Sequence, residues 1–281
     1  MYYIAEVSSN HASSLERSIK FIEISKEIGC DAVKFQLFKL DELFSIEARK
    51  ANPKFEDRRK WELPVHFLPD LKKACLKNDI DFSCTPFYLT AVEELEEYVD
   101  FFKIASYELL WLDLLEKTAK TGKKIILSTG MASIEEIDSA VEHLMKHNVS
   151  EFELLHCISG YPTALEDCNL SAIEALRLRY GVSVGWSDHS VNPVVVFRAV
   201  NHWQASTVEF HLDLDGEGDE FKTGHCWLPD QIGSVISGTQ NVGIIDGDGV
   251  KAPALSEAFE RGWRADPSDG LRPLLATRKK L

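Results

Sequence analysis

The chain alternates between two spacings of apolar residues. Short runs rich in β-branched and aromatic side chains recur at residues 2–7, 31–38, 81–84, 101–105, 124–128, 152–158, 183–186 and 208–212. Each reads as a strand. Between most of them the apolar residues recur every three or four positions, as on one face of a helix. The clearest helix follows Met131, where Ser133 and Glu136 form a capping-box pair. Behind it Ile134, Ile137, Val141 and Leu144 fall on one stripe. Ser13 with Glu16 predicts a second capping box, opening a helix that carries Leu15, Ile19 and Ile22. Gly29 supplies a left-handed stop for it. Residues 113–120, 173–178 and 193–203 read as further crossover helices.

Strands alternating with helices imply parallel pairing through right-handed crossovers. Runs such as Ile125-Ile126-Leu127 and Glu153-Leu154-Leu155 are largely apolar on both faces, as a helix-covered sheet requires. Eight such units predict an α/β fold, a (β/α)8 TIM barrel. The competitor is a doubly wound open sheet, which usually has fewer strands and often a glycine-rich first turn; no such turn is present here. The expected organisation is a barrel domain over 1–250 and a C-terminal helix and tail over 251–281, the latter a short irregular extension. Two regions break the rhythm. Residues 41–68 form a long, charged second βα connection that either covers the barrel mouth or runs through solvent. The segment from Arg264 to Leu281 carries Pro267, Gly270 and Pro273.

Composition narrows the class. The 281 residues are 44% apolar and 27% charged, which excludes a disordered or fibrous chain. No apolar run approaches the roughly 18–20 residues of a membrane span. Met1–Glu6 lacks a basic leader and reads directly as a strand, so a cytoplasmic protein with no membrane association is expected. The net charge is −14 with no basic stripe, which argues against a nucleic-acid partner. Six cysteines without CxxC spacing read as free thiols.

Barrel chemistry gathers at the C-terminal ends of strands, and residues i and i+2 share a face. Lys34 and Lys103 lie inside apolar strands, where an unpaired charge costs several kcal/mol. Either lysine alone could pair with a barrel carboxylate such as Glu6; the two together favour a lined anionic pocket. Thr85, Ser106, Ser128 and Ser187 fall at predicted strand ends and either bind an anion's oxygens or cap helices. His189 and His211 end neighbouring strands, with Glu209 on the face of His211. Such a pair either ligates a divalent first-row ion or serves a structural role. Asp188 could orient His189 or compete with it. His11 could reach the mouth, and His156 could be buried and neutral. Cys84 and Cys157 show no base partner, and Glu108 is a candidate acid or base. On residues alone, this is a metal-assisted barrel enzyme for a phosphorylated or carboxylated small molecule.

Eight motifs in chain order carry a more specific resemblance. They are Ile4-Ala5-Glu6 with Asn10-His11, Val33-Lys34-Phe35-Gln36, Ser83-Cys84-Thr85-Pro86-Phe87, and Phe102-Lys103-Ile104-Ala105-Ser106-Tyr107-Glu108. Then follow Ile126-Leu127-Ser128-Thr129-Gly130-Met131, Leu155-His156-Cys157 with Tyr161-Pro162-Thr163, Gly185-Trp186-Ser187-Asp188-His189-Ser190, and Val208-Glu209-Phe210-His211. Together they resemble the sialic acid synthase family over roughly residues 3–230. The resemblance implies condensation of phosphoenolpyruvate with an N-acyl mannosamine-type sugar to a nonulosonic acid, with phosphate release. It implies a divalent ion, Mn²⁺ first, with Mg²⁺ or Co²⁺ as alternatives. It assigns phosphoenolpyruvate to Lys34, Thr85, Lys103, Ser106, Ser128, Ser159 and Ser187, and the metal to His189 and His211. Glu6 and Tyr161 would contact the sugar, with Glu108 near the reacting carbons. A homodimer is expected of such a family. The chain is expected to depart from the pattern by doing without the C-terminal antifreeze-like domain that many members carry and the sugar-site arginine it donates, for which Arg264 or Arg272 could substitute. It also departs after strand eight, at Leu212-Asp213-Leu214-Asp215-Gly216-Glu217-Gly218-Asp219-Glu220, where Asp219 or Glu220 would supply the sugar-binding acid. The alternatives are a 3-deoxy-octulosonic or heptulosonic acid phosphate-type synthase, and a non-catalytic sugar-binding barrel.

Overall fold

The computed structural model describes residues 1–147, 149 and 151–281. Eight parallel strands close into a ring: β1 (Tyr2–Glu6), β2 (Ala32–Leu37), β3 (Asp81–Pro86), β4 (Phe101–Ile104), β5 (Ile125–Ser128), β6 (Phe152–Cys157), β7 (Val184–Asp188) and β8 (Thr207–Leu212). Closure comes from β1 pairing with β8, in a register that sets Tyr2 beside Thr207 and Glu6 beside His211. Each strand is followed by a helix on the outside. These are α1 (Leu15–Glu27), α2 (Leu68–Asn78), α3 (Leu89–Glu96), α4 (Leu112–Ala119), α5 (Ile134–Lys146), α6 (Ala172–Tyr180), α7 (Pro193–Asn201) and α8 (Pro229–Gln240). The architecture is a (β/α)8 barrel.

The two-residue side-chain period separates a plug from a site. Ile4, Ala32, Phe101, Ile126 and Leu155 form a buried apolar cluster of their own inside the ring. Burying each large member contributes about 1.5–3 kcal/mol. Two residues further along the same strands stand Glu6, Lys34, Lys103, Ser128 and Cys157. The same inward faces therefore turn polar toward the strands' C-terminal ends. The opposite faces carry the main core between strands and helices, including Tyr3, Val33, Phe102, Leu127 and Leu154. Gly185 is required by this closure, because a Cβ there would meet Leu155 Cδ2 at 2.6 Å as well as the Thr207 carbonyl.

The capping box on α5 forms as expected, Ser133 accepting from Glu136 N and Glu136 from Ser133 N. The cap of α1 differs. Ser13 takes a left-handed φ of 51° and donates its hydroxyl to Lys60 O at 2.8 Å, so it cannot cap. Ser14, in extended conformation, accepts from Arg17 N instead. Gly29 has the expected positive φ of 92°. A ninth strand, β9 (Cys226–Trp227), too short to show a period in the sequence, adds to β8 with His211 beside Cys226. The long β2–α2 connection folds into short helices at Leu40–Leu43, Ile46–Ala51 and Pro53–Trp61. Its far end reaches the β8 loop, where Lys60 pairs with Asp219 at 2.7 Å.

The chain divides into two compact units, Met1–Gln240 and Asn241–Leu281. Within the second, Asp266 accepts from Leu275 N at 2.7 Å, and Arg278 pairs with Asp269. Among the described residues no helix is long and apolar enough to cross a membrane. All six cysteines are free and buried.

Candidate active site

A buried charge network occupies the upper interior of the barrel. Lys34, on β2, makes an ion pair with Glu6 on β1, lies 3.7 Å from Glu209 on β8 and donates to the Thr85 hydroxyl at 3.2 Å. Lys103, on β4, pairs with Glu209 at 3.0 Å, and the same carboxylate accepts from Ser187 on β7 at 3.1 Å. Glu209 thus joins two ammonium groups that are far apart in sequence. Burial works against its charge, yet Lys103 and Lys34 outweigh that and hold it below the usual carboxylate range. Burial, with Lys103 adding to it, pulls Lys34 below the usual lysine range, against the opposing field of Glu209. Each lysine does have the barrel carboxylate that the simpler sequence reading allowed. Glu6 is itself aimed by Ser8 N, which donates to its Oε1 at 2.6 Å.

Beside this network lies a cradle of small polar groups. Gly130 N donates to Ser106 Oγ at 3.0 Å. A Cβ on Gly130 would collide with the Ser159 hydroxyl and would sit 2.8 Å from Ser106 Oγ and 3.2 Å from Cys157 Sγ. Ser106, Ser159 and Cys157 therefore converge on a spot that only glycine leaves open. The hydroxyl oxygens of Ser128 and Ser159 are buried without a hydrogen-bond partner, as are Glu108 Oε2 and Glu209 Oε2. Native interiors rarely leave such atoms unsatisfied unless a ligand or water meets them. Burial raises the Glu108 carboxyl to about 8, against the nearby charge of Lys103, so at neutral pH it holds its proton.

A cluster of imidazoles completes the rim. The ring centroids of His189 and His211 are 5.2 Å apart, with Tyr161 4.3 Å from His189. His189 donates Nδ1 to the Ile158 carbonyl at 2.8 Å, which leaves Nε2 free to ligate. His211 Nδ1 donates to Glu220 Oε2 at 3.0 Å. His211, Glu220, His225 and Cys226 present ligand atoms within 4.8 Å of one another. Two or more neutral imidazoles with a carboxylate suit a divalent first-row ion, so the residues present fit a metal.

Most residues singled out from sequence gather here, and some do not. Glu6, Lys34, Thr85, Lys103, Ser106, Glu108, Ser128, Ser159, Ser187, Tyr161, His189 and His211 all belong to these three neighbouring groups. Asp219 does not, because its Oδ2 accepts from Trp61 Nε1 at 2.9 Å and pairs with Lys60. Its neighbour Glu220 is the acid that faces the imidazoles. Asp188 is not free to compete with His189. Its oxygens accept from Trp186 Nε1 at 3.0 Å, Trp227 Nε1 at 2.9 Å and Ser190 Oγ at 2.6 Å. His156 is a buried structural residue, its Nε2 against the Cys168 carbonyl at 3.0 Å. Cys157 Sγ lies 4.0 Å from His189 Nδ1, but that nitrogen carries the hydrogen it donates to the Ile158 carbonyl and offers the thiol no base. The sequence carries no sign of His225, which precedes a strand of only two residues without periodicity. Glu209 was noted for its face but not for the two lysines it holds.

Comparison with known proteins agrees with this geometry. The NeuB family model matches residues 21–251. An uncharacterized protein of Methanocaldococcus jannaschii is 36% identical over 91% of this chain and 75% of its own length. The N,N'-diacetyllegionaminic acid synthase of Campylobacter jejuni is 34% identical over 90% of this chain and 80% of its own length. Among solved structures, the N-acetylneuraminic acid synthetase of Leptospira borgpetersenii superposes with a TM-score of 0.79 at 31% identity. The superposition covers 92% of this chain and 89% of that one. The chain belongs to the NeuB family and is, like its named relatives, a synthase.

Proposed function

We propose that this NeuB-family chain condenses phosphoenolpyruvate with an N-acyl mannosamine-type sugar, forming a nonulosonic acid and releasing phosphate. One observation carries the reading. Two buried ammonium groups share one carboxylate beside two unpartnered buried hydroxyls, at the rim of a barrel with paired imidazoles. Donors in that state suit a small ligand bearing both phosphate and carboxylate.

Lys34 and Lys103 would set their charge against the two anionic groups of phosphoenolpyruvate. Thr85, Ser106, Ser128, Ser159 and Ser187 would donate to its oxygens, and Gly130 leaves room for them. His189 and His211 would hold the divalent ion, which we take to be Mn²⁺; when bound, it supplies Lewis-acid polarisation of an aldehyde oxygen. Glu6 and Tyr161 would orient the open-chain sugar. The Glu108 proton goes to the aldehyde oxygen as C3 of phosphoenolpyruvate bonds to the aldehyde carbon. Water then adds at C2 and gives one proton back to the Glu108 carboxylate; the bond from C2 to the bridging phosphate oxygen breaks, phosphate leaves with the second proton, and C2 becomes a ketone. Fixing both reactants on a rigid barrel supplies the orientation.

The phosphosugar alternative would need free basic residues for a second phosphate. In the loop that carries Arg58-Arg59-Lys60, Arg59 is held by Asp41 at 2.7 Å and Lys60 by Asp219 at 2.7 Å. That engagement favours an unphosphorylated acceptor. The test is phosphate release from phosphoenolpyruvate with Mn²⁺, comparing N-acetylmannosamine and related amino sugars with a pentose phosphate. Release with an amino sugar is expected. Release with the pentose phosphate alone would move the assignment to the alternative.

A further inference from the structure

We propose that His225 is a third imidazole ligand of the metal centre and Glu220 its carboxylate, so that His189 and His211 are not the whole protein contribution. The inference rests on the metal-assisted reading above and extends it to residues outside the barrel strands.

The position of His225 is built rather than incidental. It is buried, 5% exposed, and stands directly before β9. That strand is fixed by its pairing with β8 and by Trp227, whose Nε1 donates to Asp188 at 2.9 Å. The ring of His225 lies 4.6 Å from His211, 6.1 Å from His189 and 4.9 Å from Tyr161, centroid to centroid. Its Nδ1 is engaged by the Thr223 hydroxyl at 2.5 Å, which leaves Nε2 for a second partner. Nε2 faces Glu220 Oε2 at 3.8 Å, the same oxygen that His211 Nδ1 meets at 3.0 Å. His189 shows the same division, one nitrogen held by the protein and the other left over. That is the usual arrangement of metal-bound histidine, in which the outer nitrogen's hydrogen bond fixes the tautomer.

Glu220 is held from the other side of the closure. Its Oε1 accepts from the Ser8 hydroxyl, and its N–H donates to Asn10 Oδ1 at 3.2 Å. Asn10 also donates to the Leu212 carbonyl at 3.0 Å. The β1 loop thus clamps the β8 loop, and the clamp aims a carboxylate between two imidazoles. His225 and His211 face one and the same carboxylate oxygen, at 3.8 and 3.0 Å, which is a poor hydrogen-bond plan and a good ligand set. Three nitrogens and one carboxylate supply more donor bonds to a first-row divalent ion than two nitrogens, so they hold it more tightly and leave fewer positions open.

The test uses the full chain stripped of metal. Calorimetric titration with Mn²⁺ and Co²⁺ gives affinity, and pulsed electron paramagnetic resonance on the Mn²⁺ form counts coordinated imidazoles. Wild type is expected to show three coordinated imidazoles. H225A is expected to show two, with affinity reduced at least about tenfold, and added free imidazole should restore part of it. H225Q, with a native circular dichroism spectrum, covers the case in which H225A does not fold. An unchanged imidazole count in a folded His225 variant overturns the proposal, whatever the affinity. H211A separates the two readings: if it loses metal while H225A and H225Q do not, the metal-assisted reading stands and this extension falls. If wild type binds neither ion, both fall.

Discussion

Glu108 offers a sharp test because its environment makes it behave unlike an ordinary glutamate. Burial lifts its carboxyl from the usual 4.5 to about 8. Between those two values the folded chain keeps a proton that the unfolded chain has lost. The sign follows directly: the associated stability is fully present below pH 4.5 and is lost as pH rises toward 8. Over that window the loss is about 1.4 kcal/mol per pH unit, or about 5 kcal/mol in all. Glu108→Gln keeps the shape, is neutral at every pH, and removes the slope. The variant should match wild type near about pH 5 and exceed it by several kcal/mol above about pH 8. Urea unfolding of both metal-free proteins across that range measures the difference. Parallel stability profiles would refute the reasoning, since they would mean that Glu108 sits ionised against Lys103 throughout. In turnover the same variant should bind phosphoenolpyruvate normally and lose kcat, because it lacks the proton and not the fit.

Other outcomes follow from the same network. Glu209→Gln strips Lys103 of its carboxylate and leaves Lys34 with Glu6 alone, and should destabilise the fold by about 3–5 kcal/mol; thermal melts at neutral pH measure it. Gly130→Ala places a methyl within 2.8 Å of Ser106 Oγ and against the Ser159 hydroxyl, so KM for phosphoenolpyruvate should rise at least about tenfold and the overpacking should cost about 1–3 kcal/mol in a thermal melt. Asp188→Ala strips partners from two buried indoles, Trp186 and Trp227, and should cost about 1–3 kcal/mol for each orphaned donor. Lys103→Ala should abolish turnover; near-normal rates would remove that lysine from the site.

The fold was legible because the barrel writes its two periods plainly. Strands such as Ile125–Ser128 are apolar on both faces, and only a helix-covered parallel sheet asks for that. Lys34 and Lys103 stood out for the same reason, as charges inside runs that tolerate none. What stayed hidden depends on three-dimensional closure. Glu209 reads as one more strand residue until β8 meets β1 and faces the strands carrying Lys34 and Lys103. Ser13 matches a capping pattern, but the β2–α2 loop claims its hydroxyl through Lys60 and the cap passes to Ser14. His225 carries no periodic signal, since β9 is two residues long and its place is set by β8 and Asp188. Asp219 and Glu220 are adjacent acids in sequence; only the Trp61 and Lys60 contacts decide which of them is diverted from the imidazoles.

The most direct measurement is the identity of the product formed from uniformly ¹³C-labelled phosphoenolpyruvate, an N-acyl mannosamine and Mn²⁺. The account predicts a nonulosonic acid that carries all the labelled carbons, formed in step with free phosphate and absent with Lys103→Ala. Free labelled pyruvate with the sugar unchanged, or no turnover with any amino sugar, would contradict it.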